Sequence, residues 1–184
     1  MNRDDPDGEL VARVGRGDAA AVRQLTVTKL PRILALATRL LRDRAEAEDV
    51  AQEVFVRVWR HARRWQPGRA LFDTWLHMVT LNLCRDRLRR RREQPVAHAI
   101  EQIDPSPSAD QAISDGEDAS AVGAAIAALP DRQREAILLV HYQDLTNIAA
   151  AEAMEVSVEA LESLLGRGRR SLRRTFAAKE TGDD

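Results

Sequence analysis

Residues 43–65, DRAEAEDVAQEVFVRVWRHARRW, constrain the fold of this chain more than any other stretch. Ala47, Val50, Ala51, Val54, Phe55, Val58, Ala62 and Trp65 recur at steps of three and four, which places them on one stripe of an α-helix. Asp43 is set to cap the first turn, and Glu46 three residues on completes the spacing of a capping box. Glu46, Glu48, Asp49 and Glu53 crowd the N-terminal half, while Arg57, Arg60, Arg63 and Arg64 crowd the other. That order suits the helix dipole, each charge adding about 0.3–1 kcal/mol. Pro67-Gly68 stops the helix.

A helix of this kind needs partners, and the rest of the chain offers helices. Aromatic residues are only 4% of the sequence, and no strict apolar alternation supports a strand. The chain contains no apolar run of 18 residues, and its start, MNRDDPDGEL, is acidic where a signal peptide is basic, so a cytoplasmic protein with no membrane contact of its own is expected. The single cysteine, Cys84, excludes an internal disulfide and reads as a small core residue. The net charge of −1 conceals an uneven distribution. Residues 1–94 hold 20 Lys/Arg against 13 Asp/Glu, residues 95–130 hold none against 6, and residues 131–184 hold 8 against 10. In that last segment Arg167, Arg169, Arg170, Arg173 and Arg174 fall together, so local basic surfaces suited to nucleic acid exist on a chain of near-neutral total charge.

The string from Asp43 to Phe55 resembles the second conserved region of bacterial sigma factors of the small extracytoplasmic-function (ECF) group. The resemblance implies that this helix is the handle for a coiled coil on the large catalytic subunit of core RNA polymerase, with Glu46, Asp49, Gln52, Glu53 and Arg57 as contacts. Upstream, Leu10–Val14 form a short apolar patch closed by Gly15-Arg16-Gly17. Asp18 then caps a helix running toward Leu41, in which Pro31 predicts a kink or a break. Relatives carry more aromatic residues in that helix than the Val22, Thr26 and Thr28 found here.

A third helix is expected over residues 73–92, with Phe72, Trp75, Leu76, Val79 and Leu83 on its apolar stripe. Met78, Asn82, Arg85 and Arg89 lie on a second stripe that leads into an arginine run, a pattern able to release counterions from phosphates. FDTWLHMVTLNLCRDRLRRRR also resembles the family, matching F-x-x-W-L, then Asn82, Asp86, Arg89 and Arg90. The resemblance implies that this helix and the loop 66–72 engage the non-template strand of the downstream promoter element and flip out a base. Asn82 can read base edges; Trp75 suits both a core position and a stacking platform; Asp86 suits either DNA contact or orienting a neighbouring arginine.

Residues 95–120, with Pro95, Pro105 and Pro107 among Ser, Asp and Gly, read as a flexible acidic linker between two small helical domains at 1–94 and 121–178, leaving 179–184 as a disordered tail. In the second domain Pro130 and Asp131 start a helix that turns Ala136, Ile137, Val140 and His141 inward. Thr146 caps a helix over 147–154, Glu155-Val156-Ser157 turn, and Ser157 caps a longer helix ending near Phe176. Leu145, Ala149, Val156, Leu161 and Leu165 hold the unit together. The order of cap, turn and basic helix is that of a helix-turn-helix, and it resembles the fourth sigma region, which reads the upstream promoter element. Ser157, Glu159, Ala160, Glu162, Ser163, Arg167 and Arg170 are the candidate contacts. Glu155 stands where glycine is common, so a left-handed turn there costs about 1 kcal/mol. Glu162 and Leu164 stand where relatives are often basic, which points to an unusual upstream preference.

The expected fold is therefore all-α in two domains. The expected function is an alternative initiation factor with core polymerase, promoter DNA and an anti-sigma factor as partners. A sigma-like decoy and a stand-alone helix-turn-helix regulator are the other readings. The decoy is disfavoured by Arg85, Arg89–Arg92 and Arg167–Arg174, and the regulator by residues 43–92, which it does not need. Enzyme chemistry has little support: His61, His77, His98 and His141 are scattered, no phosphate-binding glycine loop is present, and no cofactor or metal is expected.

Overall fold

The computed structural model describes residues 5–65, 71–93 and 116–180, and every regular element among them is an α-helix. The chain divides into two compact units, Met1–Ile103 and Asp104–Asp184.

The first unit holds α1 (Gly8–Gly15), α2 (Ala19–Leu41), α3 (Arg44–Ala62) and α4 (Phe72–Glu93), with α2 packed against the other three. Asp18 starts α2 as its sequence position predicts, its carboxylate accepting from the N–H groups of Ala20 and Ala21. Pro31 does not break α2. Its missing N–H leaves without a helical donor only the carbonyl of Val27, a residue on the solvent side of the helix and 75% exposed, while Leu25, Ile33 and Leu36 hold the helix on its buried side. The apolar stripe of α3 is buried from Ala47 to Ala62, and Trp65 beyond it is half-buried. Phe72, Leu76, Val79, Leu83 and Cys84 of α4 close the core. Each large aliphatic side chain hidden there contributes about 1.5–3 kcal/mol, more than the charge and capping terms at the helix ends.

Gly15 is required by a close approach. A Cβ there would stand 2.6 Å from the Ala62 carbonyl oxygen and 2.9 Å from its carbon, so the end of α1 meets the end of α3 backbone to backbone.

The second unit holds α5 (Gly116–Ala127), α6 (Asp131–His141), α7 (Asn147–Met154) and α8 (Val158–Glu180), with α8 packed against the other three. Helix α5 starts at Gly116, inside the expected linker; the rest of that linker, 95–115, lies outside the described residues. Likewise α8 runs through Glu180, so the expected tail is helical for its first two residues, and 181–184 lie outside the description. Ala136 and Ile137 are buried as predicted, but Val140 is half-buried and His141 is exposed. The last turn of α6 leaves the packed region, and the chain folds back so that Gln143 and Leu145 fill the core in its place. Leu161 and Leu165 are buried, whereas Ala149 and Val156 sit at the margin. Thr146 accepts from the Ala149 N–H at 3.2 Å, and Glu155 takes the left-handed conformation at φ 57°.

Candidate polymerase and nucleic-acid surfaces

Burying the apolar stripe of α3 presents its charged face outward. Asp43 caps the helix by accepting from the Glu46 N–H at 2.9 Å. Asp49 and Gln52 are exposed, and Glu53 and Arg57 pair with each other at 2.7 Å on the same face. Such exposed pairs add well under 1 kcal/mol to stability and leave both groups open to a partner. Glu46 differs. It turns toward α4, only 16% exposed, and meets the Arg91 guanidinium at 2.9–3.0 Å.

Helix α4 places Met78, Asn82 and Arg85 at half-buried positions and Arg89 in solvent, one continuous stripe as the spacing predicts. Asn82 Oδ1 accepts from Arg85 Nη1 at 2.9 Å, and Asp86 holds Arg89 at 2.9 Å, so Asp86 orients an arginine. Trp75 stacks on His61 with ring centres 4.8 Å apart and planes 15° from parallel, and Phe72 and Trp65 lie within 5.7 Å of it. This aromatic cluster brackets the loop 66–70, itself outside the described residues.

At the start of α4 an ion network escaped sequence reading. Asp5 caps the helix from far away in sequence, accepting from the Phe72 N–H at 2.9 Å. Lys29 bridges Asp7 and Asp73 at 2.6 and 2.8 Å, with Arg32 and His77 also facing Asp73 at 3.7 Å. Burial opposes the Lys29 charge, but the hydrogen bonds to Asp7 and Asp73 outweigh it and raise its pKa. Burial likewise opposes ionisation of Asp73, and its interactions with His77, Lys29 and Arg32 outweigh that burial and lower its pKa. The apolar i, i+4 spacing around Lys29 gave the only sequence signal, that it points inward.

In the second unit the first turns of α8 project outward. Ser157, Glu159, Ala160, Glu162, Ser163, Arg167 and Arg170 are all exposed. Ser157 accepts from the Ala160 N–H at 3.2 Å, and the Glu159 carboxyl is held below its ordinary range by its own backbone N–H and the Ser157 hydroxyl. Asn147 of α7 reaches Glu162 at 3.5 Å. The turn before α8 is secured by Arg132, which donates to the Met154 carbonyl at 3.1 Å and pairs with Glu135 at 3.0 Å. An exposed helix after a capped turn, with serine and acids first and arginines a turn later, has the form that enters a major groove.

The family model of sigma-70 region 2 matches residues 26–94, and that of sigma-70 region 4 matches residues 119–172. The ECF RNA polymerase sigma factor SigE of Mycolicibacterium smegmatis is 32% identical over 98% of this chain and 71% of its own length. The chain belongs to the ECF sigma factors.

The RNA polymerase sigma-H factor of Pseudomonas aeruginosa is 29% identical over 94% of each chain. Among solved structures, CnrH in complex with the cytosolic domain of CnrY superposes at TM-score 0.69 with 25% identity, over 98% of this chain and 100% of that one. The sigma factor RpoE of Bartonella quintana, solved with the anti-sigma factor NepR, superposes at 0.70 with 23% identity over 84% of this chain and 96% of that one, a likeness of fold. In this sigma factor, then, the region 2 match runs from within α2 through α4, and the region 4 match runs from within α5 into α8. Among the described residues no helix is long and apolar enough to cross a membrane, and no group of three His, Cys, Asp or Glu is placed to hold a metal ion.

Proposed function

We propose that this ECF sigma factor acts in the cytoplasm as a non-enzymatic initiation subunit, docking on core RNA polymerase through Asp49, Gln52, Glu53 and Arg57. Glu46 shapes that surface from beneath. The outward stripe of α4, with Asn82, Arg85 and Arg89 and with Asp86 orienting Arg89, takes the non-template strand of the downstream element; Trp75 borders the pocket as part of the aromatic cluster. The exposed start of α8, from Ser157 to Arg170, takes the upstream duplex. The observation that supports this reading is the division of α3: its apolar stripe is buried from Ala47 to Ala62, while Asp49, Gln52, Glu53 and Arg57 stay accessible on its charged face. An anti-sigma factor as regulator is suggested by the complexes of its structural neighbours: RpoE was solved with the anti-sigma factor NepR, and CnrH with the cytosolic domain of CnrY.

The test is the affinity of Asp49→Ala and Glu53→Ala variants for purified core polymerase. A fall of about tenfold with unchanged helix content is expected, about 1.4 kcal/mol. Unchanged affinity removes α3 as the docking face.

A further inference from the structure

The arginine run at the end of α4 reads in sequence as one phosphate-neutralising cluster, but the fold divides it. Arg87 and Arg91, four residues apart, share a face, and that face meets α3. Arg91 is 24% exposed and uses its whole fork: Nε donates to Glu46 Oε1 at 3.0 Å, Nη1 to the Leu41 carbonyl at 2.8 Å, and Nη2 to Asp43 Oδ2 at 3.2 Å. Leu41 ends α2, Arg42 turns the chain in the left-handed conformation at φ 55°, Asp43 caps α3, and Glu46 sits in its first turn. One guanidinium thus clamps the whole α2–α3 junction. Arg87, one turn back, faces Asp49 at 3.7 Å. Arg89 and Arg90 point into solvent.

We propose that Arg91 is a positioning residue for the polymerase-docking surface, supported by Arg87, and that phosphate neutralisation in this run falls to Arg89 and Arg90. The proposal rests on the assignment of α3 to docking. Its chemistry is specific to arginine. A planar fork reaches a carbonyl and two carboxylates at once, whereas a lysine ammonium is a point charge that cannot span them. The non-glycine left-handed turn at Arg42 is held against its own strain by this clamp. Without it the first turn of α3, and with it Asp49, loses its fixed place.

The experiment compares the full chain with Arg91→Lys, Arg91→Ala, Arg87→Ala and Arg90→Ala variants. Affinity for core polymerase is measured well below each variant's melting temperature. The salt dependence of promoter binding is then measured with each variant saturating the polymerase, on a fragment mapped by run-off transcription. Both Arg91 variants should lose about tenfold in core affinity while the salt slope stays that of the unaltered chain. Arg87→Ala should show the same pattern at smaller amplitude, about two- to fivefold. Arg90→Ala should keep its core affinity and lower the slope by about 0.7–0.9, one phosphate contact.

A purely structural role is separated by combining Arg91→Lys with Glu46→Gln: coupled, non-additive losses of core affinity support the clamp, and additive losses overturn it. Full core affinity in Arg91→Lys, or a reduced salt slope in Arg91→Ala, also overturns it. If the Arg91 variants unfold, Arg87→Ala decides by the same two readings. Failure of the unaltered chain to bind polymerase rejects the docking assignment; binding that is indifferent to Arg91 and Arg87 rejects only this inference.

Discussion

Two glycines allow the same chemical change to be made with opposite expected signs. Gly15→Ala drives a methyl group to 2.6 Å from the Ala62 carbonyl oxygen, a contact that side-chain rotation cannot relieve because both sides are backbone. The ends of α1 and α3 must move apart by several tenths of an ångström, and overpacking of this kind costs about 1–3 kcal/mol. The gain in helix propensity at a terminal position returns less than about 1 kcal/mol, leaving a net destabilisation of about 1–2 kcal/mol. Gly123→Ala in α5 meets nothing within 4 Å and should stabilise by about 0.5–1 kcal/mol.

The readout is built into the sequence. All three tryptophans, Trp59, Trp65 and Trp75, lie in the first lobe, and the single tyrosine, Tyr142, lies in the second. Urea unfolding followed by tryptophan fluorescence should show the Gly15→Ala midpoint lowered by about 0.5–1 M, given a slope near 2 kcal/mol/M for a unit of this size. Gly123→Ala should leave that transition in place and raise the one seen by tyrosine fluorescence. A Gly15→Ala midpoint equal to or above that of the unaltered chain refutes the close approach of α1 and α3.

Asp73→Asn should weaken the first lobe by about 2–3 kcal/mol, since it leaves the mostly buried Lys29 with Asp7 alone. The sign of the pH dependence follows from the shifts: the lowered Asp73 pKa gives stability that is present above its unfolded value and lost as pH falls through the folded one, while the raised Lys29 pKa gives stability lost as pH climbs through its folded value. The acid limb of a stability–pH curve should therefore flatten in Asp73→Asn; an unchanged limb contradicts the network. Glu155→Gly should stabilise the second lobe by about 0.5–1 kcal/mol by relieving the left-handed residue, read as a raised midpoint with upstream binding unchanged. Arg167→Ala combined with Arg170→Ala should reduce upstream duplex binding and lower its salt slope by about 2, whereas an unchanged slope removes both from phosphate contact.

Periodicity and capping made the helices legible. The α3 stripe, the Asp18, Asp43 and Thr146 caps and the left-handed Glu155 are all properties of a few neighbouring residues, and each is found where local sequence places it. What escaped sequence reading depends on partners remote in the chain. Asp5 capping α4, Lys29 between Asp7 and Asp73, and Arg91 reaching Leu41, Asp43 and Glu46 join segments separated by 22 to 67 positions. A charged residue carries no periodic signal of which opposite charge it will meet. His141 was misplaced for a related reason: helical phase predicts a face, but not that the last turn of α6 projects past its neighbours. The start of α5 at Gly116 was missed because glycine and acidic residues resemble a linker until the helix they lead into is seen.

Run-off transcription with purified core polymerase on a genomic fragment library tests the central claim most directly. Addition of this protein should produce new start sites that share paired upstream and downstream motifs, and Asp49→Ala should reduce their use by up to about tenfold at limiting concentrations. No new start sites, together with no binding to the polymerase, would contradict the account at its root in α3.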